Sequence, residues 1–258
     1  MGQALIEATL AAPDLTLAAA LDVAGSPFCG RDAGERIGQR TGVVVVSDTA
    51  AALAQADVLI DFTRPEGTLA YAAACAAGGV ALVAGTTGLS PAQKAALAAH
   101  AQSIAMVFAP NMSVGVNVAV KLVDLAARSL GPGYDIEVVE MHHRHKVDAP
   151  SGTALLLGEA AAQAMDTTLA EAAVYAREGH TGERRAGSIG FAALRGGDVV
   201  GEHTVIFAGA GERVEITHRA TSRQNFAGGA LRAARFVAER RARNEPGLYG
   251  MAEVIGLT

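Results

Sequence analysis

The sequence has no tryptophan and only 4% aromatic residues, although half of its 258 residues are hydrophobic. Its core bulk must come from aliphatic side chains and alanine, which suits alanine-rich helices packed closely on a sheet. Cysteine is also scarce. Cys29 and Cys75 are too few for a disulfide framework, so a reducing, cytoplasmic setting is expected. Neither has a basic neighbour in sequence to activate it, so packing is their expected role. Long runs of one charge are missing too. With 21 Lys+Arg against 26 Asp+Glu the net charge is −5, which argues against nucleic acid or an anionic membrane as the main partner. The apolar content excludes a disordered chain.

Membrane spans are lacking on the same reading. Met1-Gly2-Gln3 has no basic n-region, so a secretory signal is not expected. Two uncharged runs, residues 68–93 and 101–120, are long enough to span. The first is broken by Gly78-Gly79, Gly85-Thr86-Thr87-Gly88 and Ser90-Pro91, and the second carries Pro110, Asn111, Ser113 and Asn117. A bilayer would leave those backbone breaks and amides unsatisfied. Both runs read as helix–turn–strand units.

What is present is a rhythm. Helix is predicted over 2–11, 49–56, 65–77, from Ser90 onward with a Ser90/Gln93 capping box, and over 114–130. Between these helices fall apolar strands over 15–21, 42–46, 57–62, 79–84 and 104–109. Strands alternating with helices in this way indicate parallel βαβ units in a doubly wound sheet. After Gly131-Pro132-Gly133 the pattern changes. A long strand over 135–145 and a helix over 151–165 precede strands over 173–177, 188–194, 199–207 and 214–221. Gly196-Gly197 and Gly209 with Gly211 read as hairpin turns. A final helix covers 226–241. The fold class is therefore α/β: a doubly wound, Rossmann-like parallel domain over 1–113 and 222–258, and an α+β domain with a mostly antiparallel sheet over 114–221.

Ligands of open α/β sheets bind beyond the carboxyl ends of the strands. Those ends read Asp22, Asp61-Phe62-Thr63-Arg64, Gly85-Thr86-Thr87 and Ala109-Pro110-Asn111-Met112. Asp22 stands where a ribose-reading acid belongs, and an ordinary loop carboxylate explains it as well. Gly85-Thr86-Thr87 permits close approach of a ligand or simply makes a turn. Asn111 either caps the next helix or bonds a nicotinamide. One part of a dinucleotide site is missing. A first strand and its G-x-G-x-x-G turn should precede the first helix, yet the sequence opens inside that helix, with Gly2 at the place of the last fingerprint glycine. A start internal to a longer protein is the expectation.

The sharper constellation is His142-His143-Arg144-His145-Lys146-Val147-Asp148-Ala149-Pro150-Ser151-Gly152-Thr153. It ends one strand and begins one helix. Ser151 is a good N-cap, and Gly152 and Thr153 place backbone N–H groups at a helix start, a ready carboxylate site. His143, Arg144 and Lys146 add positive charge, a set that suits a small dianion. A metal is the rival reading. Strand alternation puts His143 and His145 together and His142 apart, no cysteine or acidic cluster completes a shell, and Arg144 and Lys146 would repel a cation. No metal is therefore expected. His180 lies in a polar loop that could reach a site, whereas His203 and His218 read as cross-strand partners.

At these motifs the chain resembles the dihydrodipicolinate reductases (4-hydroxy-tetrahydrodipicolinate reductases) of lysine and diaminopimelate synthesis. The resemblance rests on residues 61–68, 85–88, 111–117, 140–153, 177–184 and 201–204. It implies reduction of a cyclic imine dicarboxylate by a nicotinamide hydride. His142 would be the acid–base residue and Lys146 the proton donor. His143, Lys146, Ser151, Gly152 and Thr153 would hold the substrate. Met1, Asp22, Phe62, Arg64, Gly85, Thr86, Thr87, Ala109, Pro110, Asn111 and Met112 would touch NADH or NADPH. Members accepting NADPH often have arginine after the ribose acid. Here Val23 follows Asp22, so NADH should be preferred. The resemblance further implies a homotetramer built through 114–221. Two other readings stay open, another small-substrate nicotinamide dehydrogenase and a non-catalytic, dicarboxylate-binding relative.

Overall fold

A computed structural model describes residues 1–257. The chain divides into two compact units, Met1–Val114 with Arg223–Thr258, and Gly115–Ser222.

The first unit begins with α1 (Gly2–Ala11) and the two short strands β1 (Ala20–Leu21) and β2 (Val45–Val46), followed by α2 (Thr49–Leu53). Then come β3 (Val58–Asp61), α3 (Pro65–Gly78), β4 (Ala81–Ala84), α4 (Pro91–His100), β5 (Ala105–Phe108) and the start of α5 (Val114–Leu130). Local chemistry sets the helix bounds. Pro65 and Pro91 occupy first-turn positions, where a missing N–H costs nothing. Ser90 and Gln93 form the expected reciprocal capping box. Gly79 ends α3 at φ 63°, a left-handed conformation that glycine adopts without steric penalty.

Every ladder in this unit is parallel. With β11 (Gly247–Tyr249) from the end of the chain, the strands fall into two sheets, β1–β2 and β11-β5-β4-β3, rather than one continuous sheet. The strands expected over 15–21 and 42–46 shrink to two residues each. A loop closed by Asp32 intervenes: its carboxylate accepts from the backbone N–H groups of Gly34, Thr41 and Gly42. Those bonds hold the carboxyl down at about 2. By contrast β4 is wholly buried, as its continuous apolar run requires. The core gathers Ala81, Val83, Ala105 and Val107 of the sheet with Ala227, Ala230, Ala233 and Val237 from a later helix. Cys75 lies inside α3, and burial pushes its thiol up to about 12, so it packs rather than reacts.

The second unit continues α5 and adds β6 (Asp135–His142), α6 (Gly152–Ala164), α7 (Leu169–Ala172), β7 (Ala173–Val174), β8 (Ile189–Arg195), β9 (Gly201–Ala208) and β10 (Arg213–Ala220). The chain returns to the first unit through α8 (Gln224–Ala242), β11 (Gly247–Tyr249) and α9 (Met251–Ile255). Neither β11 nor α9 is foreseen in the sequence reading. Three to five residues carry too little periodicity, and β11 is fixed by pairing with β5.

The second sheet has the order β10-β9-β6-β8-β7. Antiparallel ladders join β10 to β9 and β9 to β6, whereas β6/β8 and β7/β8 are parallel. The Gly209/Gly211 turn closes a true hairpin. Gly196-Gly197 does not, because β8 and β9 flank β6 instead of pairing with each other. Along β6 the even-numbered residues from Ile136 to His142 are buried. Ile136 and Val138 join a core containing Val123, Leu157, Ile189, Val205 and Phe207.

Candidate active site

The key segment departs from its expected form at once. β6 ends at His142, not His145, and residues 143–146 turn. The Lys146 N–H donates to His143 O at 3.1 Å, and the His143 and Arg144 N–H groups donate to Val199 O and Gly197 O. The β8–β9 connection thus takes over the hydrogen bonds that a longer β6 would have made.

His142 closes the buried face of β6, two residues after Glu140, so period-two alternation puts both side chains on one side. Glu140 is 1% exposed and His142 8%. His142 Nδ1 lies 2.6 Å from Glu140 Oε2. A carboxylate accepts only, so that nitrogen carries the proton. Arg195 grips both Glu140 oxygens at 2.8 Å, and the Ser151 N–H donates to Oε1 at 3.1 Å. Burial pushes the Glu140 carboxyl up. Arg195, His142 and the Ser151 N–H outweigh it and hold the group below its usual value.

Ser151 caps α6. Its hydroxyl accepts from the Ala154 N–H at 3.2 Å and lies 2.9 Å from His203 Nε2. His203 is 4% exposed, stands opposite His218 in the β9–β10 ladder, and meets His142 edge-on at 5.0 Å. The cross-strand expectation for His203 and His218 is met. Burial, reinforced by His142, pushes the His203 imidazole down to about 4, so it is neutral at pH 7.

Gly152 is exposed, with open space above its Cα, and Thr153 is half-buried. The first turn of α6 therefore opens to solvent at Gly152. Lys146 Nζ pairs with Asp148 Oδ1 at 2.8 Å. The His143 and His145 rings approach within 6.2 Å, while buried His143 Nδ1 has no hydrogen-bond partner. His180 stays exposed in its loop. That loop is pinned by Arg177 and Arg184, which converge on Glu137 at 2.8 and 3.1 Å.

The other expected residues lie in the first unit. Asp22 follows β1, with Oδ1 accepting from the Val23 N–H and Oδ2 from Ser26 Oγ at 2.6 Å. It lines a cavity of about 250 Å³ together with Met1, Gly2, Phe28 and Arg36. A carboxylate, an aromatic face and the N-terminus of α1 thus border one hollow, a set that could hold the adenosine end of a dinucleotide. Gly85 packs against the Phe62 ring, which a Cβ there would run into.

Thr86 turns inward: its hydroxyl and that of Thr68 lie 3.3 and 2.5 Å from Asp61 Oδ2, leaving Thr87 exposed. Asn111 Oδ1 accepts from the Ser113 N–H, which favours the capping reading. Arg64 is exposed at the α3 N-cap, Ala109 and Met112 are buried, and Pro110 is exposed. Arg195 has no place in the sequence-derived site, and Glu140, Asp61 and Thr68 enter it only within the motif stretches, without a role of their own. Glu140 left a signal in its place two residues before His142, and Asp61 in its place at the end of β3.

The family model described as "Dihydrodipicolinate reductase, N-terminus" matches residues 1–112, and "Dihydrodipicolinate reductase, C-terminus" matches 115–255. The chain belongs to the dihydrodipicolinate reductase family. It is 60% identical to the 4-hydroxy-tetrahydrodipicolinate reductase of Cupriavidus necator over 257 residues, covering 100% of this chain and 96% of that one. The reductase of the same name from Nitrosospira multiformis is 58% identical, with 100% and 94% covered. Among solved structures, a dipicolinate-bound dihydrodipicolinate reductase from a Paenisporosarcina species superposes with a TM-score of 0.74 at 24% identity, covering 98% of this chain and 94% of that one. That likeness extends the family assignment to the fold. Among the described residues no helix is long and apolar enough to cross a membrane.

Proposed function

We propose that the chain is a nicotinamide-dependent oxidoreductase that reduces 4-hydroxy-tetrahydrodipicolinate to tetrahydrodipicolinate, in lysine and diaminopimelate synthesis. Beside family membership, one observation carries the reading. His142, Lys146 and the amides of an α6 start capped by Ser151 gather at one end of β6. Cationic side chains and helix-start N–H groups there suit a ring bearing two carboxylates.

The roles follow from charge flow. The net change replaces the ring C–OH by C–H, so the hydroxyl leaves as water, and a nicotinamide held by the first unit would supply hydride to the resulting unsaturated ring. Electrons then move toward an enamine-like carbon, which must receive a proton. Lys146 donates it and His142 serves as acid–base partner. His143, Lys146, Gly152 and Thr153 hold the carboxylates. Ser151, expected among them, is buried with its N–H on Glu140 and its hydroxyl between Ala154 and His203, and instead fixes the α6 start. The unit containing Asp22, Phe62, Arg64, the 85–87 turn and residues 109–112 is the cofactor domain, with Met1 at the amide end of α1. The second unit binds substrate and assembles the homotetramer. A cytoplasmic location accords with biosynthetic chemistry and unpaired thiols.

NADH is the preferred donor, because the Asp22 carboxylate repels a 2′-phosphate and Val23, 68% exposed, brings no compensating charge. Steady-state assays test the assignment. His142→Ala and Lys146→Ala should each lower kcat by ~10²–10⁴-fold, the usual worth of a positioned proton-transfer group. His143→Ala should mainly raise KM. Normal turnover by the His142 variant would overturn the assignment.

A further inference from the structure

We propose that Glu140 is a positioning residue that sets which nitrogen of His142 exchanges the proton. The inference rests on the reading of His142 as the acid–base group. It begins with geometry. Glu140 sits at the meeting point of three elements. Its own strand brings His142 Nδ1 to 2.6 Å, β8 brings Arg195 to both oxygens, and the α6 cap brings the Ser151 N–H. At 1% exposure water does not compete for those oxygens.

Two consequences follow. First, the carboxylate can only accept, so the Nδ1 proton stays in place whether the ring is neutral or charged. Proton exchange is then confined to Nε2. Among the described residues no hydrogen bond is made to Nε2. The neighbouring position is Gly201, where an added Cβ would lie 3.0 Å from that nitrogen. Glycine there leaves no side chain pressing on Nε2. Second, Glu140 must stay an anion although buried, and Arg195 provides for this. Its guanidinium spans the carboxylate in two 2.8 Å bonds and also donates to Asp148 O at 2.7 Å. Arg195 thereby ties the Glu140–His142 pair to the loop that carries Lys146.

The other titratable and charged groups around His142 do not compete for Nδ1. His203 of β9 meets the ring edge-on and directs Nε2 to Ser151 Oγ, with His218 of β10 behind it. Lys146 is paired with Asp148. A fixed Nδ1–H with a free Nε2 lets His142 accept and return one proton at one place. An amide at position 140 would offer either its oxygen or its NH₂ to Nδ1, and the preference would be lost.

The test compares wild type with Glu140→Gln and with the double variant Glu140→Gln/Arg195→Met. The double variant removes the buried pair as a unit, and so avoids stranding an arginine if the single variant folds poorly. Nitrogen-15 spectra of labelled histidine report the His142 tautomer without substrate or cofactor. Wild type should show protonated Nδ1 and bare Nε2, and both variants a mixture or the reverse. Calorimetry with pyridine-2,6-dicarboxylate should give nearly unchanged affinity, while kcat falls by ~10²-fold, the scale of a general acid–base contribution. A merely structural role would weaken dicarboxylate binding along with turnover and leave the tautomer alone. An unaltered tautomer or an unaltered kcat in the folded variants overturns the proposal. Failure of wild type to reduce 4-hydroxy-tetrahydrodipicolinate overturns instead the activity on which it rests, whatever the tautomer.

Discussion

His203 makes the stability of this protein depend on pH in a way that can be worked out in advance. Its imidazole is buried between Ser151 and His142, and its value falls from 6.5 to about 4 on folding. The unfolded chain therefore takes up a proton near pH 6.5 that the native state refuses until about pH 4. Stability contributed by the neutral ring is complete above pH 6.5. It is lost progressively as pH falls toward 4 and then levels off. At pH 5 the loss is about 2 kcal/mol, rising to about 3 kcal/mol below pH 4.

The perturbation is His203→Gln, which keeps a polar group near Ser151 and removes the titration. Urea denaturation followed by far-UV circular dichroism, at pH 7 and pH 5, gives the change for each protein. Glu140, His142, Lys146 and His218 surround the site in both proteins, so the comparison cancels most of their contribution. The wild-type drop should exceed the variant's by about 2 kcal/mol. Equal drops would show that the His203 proton is not excluded by the fold, and would refute the reasoning.

Three further outcomes are expected. Ser151→Ala removes the α6 cap and its contact with His203, and should cost about 1 kcal/mol or somewhat more in thermal unfolding, with KM for the dicarboxylate raised. Phe207 is fully buried in the second sheet's core, and Phe207→Ala should cost about 3–5 kcal/mol by denaturant titration. Fluorescence titration should give a lower Kd for NADH than for NADPH, and Val23→Arg should narrow the gap. An unchanged ratio would remove Asp22 and its neighbour from coenzyme choice.

Much of this molecule was written locally. Alternating apolar strands and alanine-rich helices marked the parallel unit, and the Ser90/Gln93 box and Pro65 placed helix starts to the residue because capping uses only neighbours in sequence. The run 142–153 announced a cationic strand end followed by a capped helix for the same reason. Tertiary structure decided the rest, because the remaining partners lie far apart along the chain. The sequence offers no register by which Arg195 would face Glu140 across 55 positions, or Ser151 meet His203 across 52. Those contacts arise only once β6 is placed between β8 and β9. The same placement ended β6 at His142, turned Gly196-Gly197 from a hairpin into a connection past a third strand, and gave β11 a partner in β5. Hydrophobic period and caps are short-range; strand order and the burial of a charged cluster depend on what the whole chain packs together.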